Sequence, residues 1–351
     1  MKENKGKAKI GLFIFYGALT VFLLALILSF NDINAILGVL GTVDAVNILY
    51  ACLCIAVYMA LYPLSLCILT RAGGHNVSNL TTYNIAMTEH FFNGITPLAT
   101  GGQPFQVYGF SKVGVRVSDS TCLLMMNFMV FMLVTNGFAL CALFFFERFV
   151  SDTAMTVIAI VGFSMNFLTL GFTVLLAVSA RLRALLSRFV DHLSSTRLLG
   201  RFMKPRAEAL KEYFLNVQTS FSRLIKKKGA FLLALITKVM SMAAYYATTF
   251  FILRAFHVSV DPEELFYVIA GTSFAITMVV FLPTPGSSGG IEFAFKTVFA
   301  AIAGGAATVA YGGMLVWRLL SYYAVMLISL GFYIALEIGF SMKEKRRGGN
   351  L

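Results

Sequence analysis

The sequence predicts an all-α integral membrane protein with six full transmembrane helices and two opposed re-entrant helical hairpins in an inverted-repeat architecture. Hydrophobic residues make up 58% of the 351 residues and charged residues only 13%, whereas a soluble protein has about 25% charged residues. The hydrophobic residues form six runs of membrane-spanning length and two runs that Gly and Pro interrupt. We therefore expect a single polytopic membrane domain over residues 1–351.

The six predicted crossings are apolar runs of about 20 residues or more, the length at which a helix spans about 30 Å of hydrocarbon. They are residues 10–30, 45–70, 119–146, 153–180, 229–256 and 307–340. Lys and Arg accumulate on the cytoplasmic side of membrane proteins. With the N-terminus inside, most of the 28 Lys and Arg residues fall in cytoplasmic segments. The sequence thus predicts a multi-pass protein of the cell membrane with both termini in the cytoplasm.

The formal net charge of +12 is explained by this orientation and by attraction to anionic headgroups, so no nucleic-acid partner is expected. Residues 181–228 carry many of the basic residues together with leucines at helical spacing, which predicts a cytoplasmic amphipathic insertion. A solvated charged loop is the alternative. The five cysteines and four histidines show no metal-ligand spacing, and neither a metal nor a cofactor is expected.

Residues 81–110 and 262–303 are the two interrupted apolar runs. Each is flanked on both sides by segments assigned to the same face of the membrane, so each must enter and return. Lipid cannot satisfy the N–H and C=O groups of non-helical backbone, which is therefore tolerated at membrane depth only inside protein or beside a wet cavity. We expect two re-entrant hairpins that enter from opposite faces.

The two interruptions share the pattern TPxx[TS]GGxxF. It reads TPLATGGQPF from Thr96 and TPGSSGGIEF from Thr284, 188 residues later. The chain is therefore interpreted as repeat one, residues 10–146, and repeat two, residues 153–340. Each repeat contains three crossings, so the two insert with opposite orientation. Inverted repeats with broken helices are an architecture of secondary transporters.

The candidate binding residues lie at these interruptions. Gly-rich turns that open helices present N–H groups to a phosphate, although the glycines could instead serve tight helix packing. Ionisable side chains at membrane depth are functional candidates, with structural salt bridges as the alternative. No catalytic residue is assigned. The predicted substrate-binding residues are Glu89, Asn93, Thr96, Pro97, Thr100, Gly101, Gly102, Gln103, Gln106, Lys238, Thr284, Pro285, Gly286, Ser287, Ser288, Gly289, Gly290, Glu292 and Arg318.

The segments HFFNGITPLATGGQPFQVYGFSKVGV and FLPTPGSSGGIEFAF resemble the two signature regions of the lysylphosphatidylglycerol synthase transmembrane family. This is the flippase-like domain of the multiple peptide resistance factor. The resemblance extends over nearly the whole chain. In full-length members a cytoplasmic domain transfers lysine from charged tRNA to phosphatidylglycerol, and the membrane part moves the product to the outer leaflet. Because the sequence ends at Leu351, we expect a stand-alone member without the aminoacyltransferase domain.

The resemblance implies a phospholipid flippase that moves an anionic or aminoacylated lipid, similar to lysyl-phosphatidylglycerol, between leaflets, with a link to cationic peptide resistance. Two other interpretations stay open. One is a membrane enzyme that acts on a lipid phosphate. The name phosphatidylglycerol lysyltransferase would apply to this chain by family similarity only, because the catalytic domain of that activity is not expected here. The other is a membrane subunit for a separate aminoacyltransferase. The expected partners are membrane phospholipids, that transferase and a second copy of the chain in a homodimer.

Overall fold

The computed structural model describes residues 43–150, 153–179, 219–304 and 307–348, together with positions 185, 188, 212–213 and 216–217. Every regular element in this part of the chain is helical, which confirms the all-α class. The predicted first crossing, 10–30, lies outside the described residues. So does most of the predicted insertion, 181–228.

The first half of the described chain runs from Asp44 to the short helix before the loop at 150. Its helices are α1 (Ala45–Leu61), α2 (Leu64–Ala72), α3 (Asn79–Ile95), α4 (Gly102–Lys112), α5 (Val117–Leu143) and α6 (Phe146–Phe149). The Val46 N–H donates to the Asp44 carboxylate at 3.0 Å, which caps α1 and lowers the pKa of Asp44. The Ser78 hydroxyl caps α3 in the same way.

The second half contains longer helices and a stretch of π-helix. Its helices are α7 (Thr153–Val178), α8 (Lys228–Ala255), α9 (Leu265–Val279), α10 (Gly290–Ile302), α11 (Ala307–Arg318) and α12 (Val325–Gly348). Residues Leu319–Ala324 form the π-helix that joins α11 to α12. A π-helix has more residues per turn than an α-helix, so it changes the direction in which the following side chains point.

Five helical stretches in the described part are long and apolar enough to span a membrane. They are Ala45–Ala72, Val117–Leu143, Thr153–Leu175, Lys228–Ala255 and Val309–Met342. These stretches coincide with the last five of the six predicted crossings. The protein is therefore an all-helical integral membrane protein.

The first of these stretches is interrupted at Pro63, which the sequence analysis did not foresee as a break. Proline has no N–H, so the carbonyl of Met59, one turn earlier, loses its helical donor. The Tyr83 hydroxyl of α3 donates to that carbonyl at 2.9 Å. The break thus gives α3 a specific contact with the first stretch.

The two interrupted segments fold as helical hairpins. Helices α3 and α4 pack against each other on either side of a 3-10 turn at Pro97–Ala99, and α9 and α10 do so around Pro285–Ser287. The bounds, 79–112 and 262–302, agree closely with the predicted segments. The two 3-10 turns also contact each other.

The two turns have the same backbone conformation. Leu98 (φ 56°, ψ 19°) corresponds to Gly286 (φ 57°, ψ 26°), and Ala99 (φ 51°) corresponds to Ser287 (φ 52°). Three of these four residues carry a side chain in the left-handed region, which only a surrounding structure that enforces it maintains. The shared sequence pattern therefore corresponds to a shared and strained turn.

Candidate functional site

The candidate site lies where the two hairpin turns meet and consists of two groups of polar side chains. We name the first the Arg318 cluster, formed by Arg318, Glu292, Ser288 and the backbone of Gly286. The second, the Glu89 cluster, is formed by the four side chains of Glu89, Asn93, Gln106 and Lys238.

The guanidinium of Arg318 is almost completely buried, with 4% of its side chain exposed. Its Nε donates to Glu292 Oε1 at 2.9 Å, and its Nη2 donates to the Gly286 carbonyl and to Ser288 Oγ, both at 2.9 Å. Glu292 is more accessible, with 30% of its side chain exposed, and its other oxygen accepts the Gly289 N–H at 2.6 Å. A buried positive charge is thus paired with a carboxylate that solvent or a ligand can reach.

The π-helix after Arg318 completes this arrangement. It places the Tyr322 ring 4.2 Å from the Arg318 guanidinium, while the Tyr322 hydroxyl donates to the Gly94 carbonyl of the first hairpin at 2.8 Å. A Cβ added to Gly286 would overlap the Tyr322 ring. The close approach of ring and turn therefore requires glycine at this position.

The Glu89 cluster lies between α3 and α4. Gln106 Nε2 donates to Glu89 Oε2 at 3.2 Å and to the Ala86 carbonyl at 3.3 Å. Asn93 Nδ2 approaches the other Glu89 oxygen at 3.5 Å, and Asn93 Oδ1 accepts the Gly102 N–H at 2.8 Å. These hydrogen bonds hold the Glu89 carboxylate in place, one to two helical turns before the end of α3.

Lys238 of α8 completes the cluster from the opposite side. Its side chain is fully buried, its ammonium donates to the Tyr62 carbonyl at 3.1 Å, and Nζ lies 3.3 Å from the centroid of the Tyr62 ring. The Glu89 carboxylate acts electrostatically on this ammonium, although the two groups do not form a salt bridge. The ring of His90 packs 4.5 Å from the Tyr62 ring, and within the described chain its Nε2 has no hydrogen-bond partner.

Other predicted site residues build the turns. Thr96 Oγ1 donates to the Phe92 carbonyl and accepts the Gly101 N–H at 2.9 Å. Thr100 Oγ1 donates to the Pro97 carbonyl, and Thr284 Oγ1 donates to the Ser288 carbonyl. These threonine hydroxyl groups bond backbone groups of the two turns, so their role is explained by the stability of the turns and does not require a ligand.

Three further predicted residues belong to neither cluster, although Ser287 lies between Gly286 and Ser288 in the chain. Gln103 is exposed, and Ser287 donates to the Val280 carbonyl at 3.3 Å. A Cβ at Gly290 would overlap Leu282, which supports the packing interpretation for that glycine.

The sequence analysis missed Tyr62 and Tyr322, the two aromatic residues that hold the buried cations. A tyrosine in an apolar run does not by itself indicate a functional site, since the chain has 14 tyrosines. Tyr62 precedes Pro63, and a proline inside a predicted span marks a kink where backbone carbonyls need other donors. That signal could have indicated Tyr62, whereas nothing local indicates Tyr322.

A groove of about 840 Å³ lies elsewhere, along α7 and the end of α5. Its lining is almost entirely apolar and includes Phe163, Phe167 and Phe172. None of the residues of the two clusters lines it. The groove therefore contributes nothing to polar recognition.

The fold and the site together define a class: a polytopic helical membrane protein in which two broken hairpins meet and bring buried charges together. The family model described as Lysylphosphatidylglycerol synthase TM region matches residues 10–329, and the chain belongs to this family. The expected resemblance is thus confirmed. A relative, a UPF0104 membrane protein of Archaeoglobus fulgidus, is 23% identical over 341 residues, which cover 92% of this chain and 94% of the relative.

Proposed function

We propose that the protein moves a phospholipid between leaflets and that the lipid headgroup passes the contact between the two hairpin turns. The observation that carries the proposal is the buried Arg318 beside the accessible Glu292. An arginine fork binds carboxylate and phosphate with the same planar geometry. A headgroup phosphate can therefore replace Glu292 on Arg318 without leaving the buried charge unpaired.

The hairpins are proposed to be re-entrant, with six crossings in total and both termini in the cytoplasm of the cell membrane. Side chains satisfy the backbone groups that the breaks expose. The N–H groups of Gly101, Gly102 and Gly289 donate to Thr96, Asn93 and Glu292, respectively. Such internal partners are what non-helical backbone needs inside a bilayer.

The proposed substrate is an anionic or aminoacylated phospholipid similar to lysyl-phosphatidylglycerol, in line with the family to which the chain belongs. A separate aminoacyltransferase and a second copy of the chain are proposed as partners. The proposal includes a contribution to cationic peptide resistance, because exporting a positively charged lipid lowers the negative charge of the outer leaflet.

Replacing Arg318 tests the proposal. Purified protein in liposomes should move fluorescent phosphatidylglycerol into a leaflet where a membrane-impermeant quencher no longer reaches it. Arg318→Ala should slow this movement by about 10- to 100-fold, because charge-assisted hydrogen bonds contribute about 1.5–3 kcal/mol. Arg318→Lys, which retains the charge but not the fork, should lie between the two.

The matched control is Arg254→Ala, since Arg254 is an exposed arginine near the end of α8. The control should keep the wild-type rate. Gel filtration in detergent reports whether each variant is folded. A folded Arg318→Ala protein that moves lipid at the wild-type rate would exclude Arg318 from the headgroup path.

An enzyme acting on a lipid phosphate receives less support from the geometry. The Ser288 hydroxyl donates to the Pro285 carbonyl and accepts from Arg318, so the described contacts give this hydroxyl no general base. Phosphate release from a lipid pyrophosphate by the same purified protein would favour the enzyme over the flippase.

A further inference from the structure

Helix α10 contains a cation that belongs to neither cluster. Lys296 lies at the central position of this 13-residue helix, about 9 Å from either end, and its side chain is exposed. Among the described residues, the Lys296 ammonium forms neither a salt bridge nor a hydrogen bond. The proposed topology places α10 in the membrane, where an unpaired charge is unfavourable. A partner for Lys296 must therefore come from outside the described contacts.

The expected partner of Lys296 is already occupied. Glu292 precedes Lys296 by four residues on the same helix, and this order and spacing of the two residue types favour a salt bridge. Glu292 instead uses both of its oxygens elsewhere. One accepts from Arg318 Nε at 2.9 Å, and the other accepts the Gly289 N–H at 2.6 Å. The Lys296 charge is thus left one helical turn from a carboxylate that is bound to another cation.

The two sides of α10 differ in what they contact. One side packs into the protein core through Ile291, Ala294, Phe295, Val298 and Phe299. The other side is open and contains Glu292, Phe293 and Lys296. A helix side that faced only lipid would be apolar, and ionisable residues at membrane depth mark paths for polar groups. The open side of α10 therefore has the composition of a path rather than of a lipid-facing surface.

Arg318 keeps one nitrogen for a further partner. Its Nε and Nη2 donate to Glu292, Gly286 and Ser288, whereas Nη1 has no partner among the described residues and is not completely buried. The adjoining turn offers space, since Ser288 and Gly289 are exposed and nothing lies within 4 Å of a Cβ added to Gly289. An anion can therefore begin to bind Arg318 before it displaces Glu292.

We propose that Lys296 is a phosphate-binding residue, which receives the phosphodiester of a lipid headgroup on the outward half of the second hairpin and passes it to Arg318. The proposal rests on the lipid movement proposed above and adds an outward binding subsite to it. Lys296, Arg318 and Glu292 carry a combined charge of +1, which one phosphodiester neutralises. The step is an exchange of ionic contacts, in which no covalent bond forms or breaks.

Lipid binding by the full chain in a non-ionic detergent tests the subsite directly. Fluorescent phosphatidylglycerol is the probe, and fluorescent diacylglycerol, which has the same acyl chains but no phosphate, is the reference. Lys296→Gln should raise the dissociation constant of phosphatidylglycerol about three- to tenfold, because one of two charge-assisted contacts is lost at a site that water partly screens. Its affinity for diacylglycerol should equal that of the wild-type protein.

The matched control is Arg254→Gln, because Arg254 is an exposed cation near the end of α8, outside both clusters. This variant loses the same charge and should bind phosphatidylglycerol as the wild-type protein does. Lys296→Gln protein with the wild-type dissociation constant would overturn the subsite, and Lys296 would then only extend to the membrane surface. An equal loss of affinity in Arg254→Gln would also overturn it, because the effect would then be one of overall charge.

A second measurement uses the wild-type protein and covers the case in which Lys296→Gln does not fold. An amine-reactive reagent modifies exposed lysines, and mass spectrometry compares Lys296 with Lys228, which is exposed at the start of α8. Phosphatidylglycerol should protect Lys296 about threefold or more relative to Lys228, and diacylglycerol should not. Equal modification with both lipids would overturn the subsite.

Movement in liposomes separates this proposal from the proposed function. Wild-type protein that moves phosphatidylglycerol, while neither binding nor protection depends on Lys296, overturns the subsite and leaves the proposed function intact. Wild-type protein that binds phosphatidylglycerol through Lys296 but moves none above protein-free vesicles overturns the proposed function and supports the phosphate site.

Discussion

At the residue scale, Tyr322 is the side chain that joins the two hairpins. Its ring lies against Arg318 at the end of α11, and its hydroxyl donates to the Gly94 carbonyl of the first hairpin. One residue therefore contacts both the Arg318 cluster and α3. Its place in the π-helix after α11 is what directs it towards both.

Tyr322→Phe should lower the stability of the protein while retaining the ring under Arg318. The Gly94 carbonyl would lose its side-chain donor, and an unsatisfied buried acceptor costs about 1–3 kcal/mol. Thermal unfolding in detergent measures the change. Tyr311→Phe is the matched control, since the Tyr311 side chain is 41% exposed. Equal melting temperatures for the two variants would show that the Gly94 bond adds no stability.

At the element scale, the close packing of α7 on α9 depends on Gly162. A Cβ added there would overlap the backbone of Met278, including its carbonyl carbon and oxygen. Backbone cannot rotate away as a side chain end can, so the helices would have to separate. The same helix also contains Gly171, around which nothing lies within 4 Å of an added Cβ.

Gly162→Ala should therefore destabilise the protein by about 1–3 kcal/mol through overpacking, whereas Gly171→Ala should be neutral or slightly stabilising because alanine favours the helix. Thermal unfolding of the two variants in the same detergent compares one methyl group at two places on α7. A Gly171→Ala protein as unstable as Gly162→Ala would contradict the packing explanation.

At the scale of the whole molecule, the proposed topology places the open ends of the two hairpins on opposite faces of the membrane. Lys112 ends α4, and Glu263 precedes α9; both are exposed. In a background in which the five cysteines are replaced by serine, a membrane-impermeant maleimide should label Lys112→Cys only from the cytoplasm. It should label Glu263→Cys only from outside. Labelling of both from one side would exclude opposed hairpins.

The helices and their breaks were largely predictable because they depend on local properties. The apolar run at 229–256 corresponds to Lys228–Ala255, and the interruption at Thr96 corresponds to the end of α3. The kink at Pro63 shows the limit of this reasoning. A proline within an apolar run interrupts the helix locally without ending the crossing, so run length alone did not indicate it.

The partners within the site were less predictable. Glu89, Lys238, Glu292 and Arg318 were recognised as candidates because charge is rare in apolar runs. Their pairing was left open, since a charged residue could meet a partner in either repeat. The structure pairs Arg318 with Glu292 and brings Lys238 near Glu89 without direct contact.

The sequence by itself determined that this chain crosses a membrane as helices and that two of its apolar segments are interrupted, through its hydropathy, its charge asymmetry and the positions of Gly and Pro. These features are sufficient because every short segment in lipid must satisfy its own backbone hydrogen bonds. Only the tertiary structure decided that Lys238 rests on Tyr62, 176 residues away along the chain, and that Tyr322 reaches Gly94. Such contacts depend on how distant helices pack, and no local pattern contains that information.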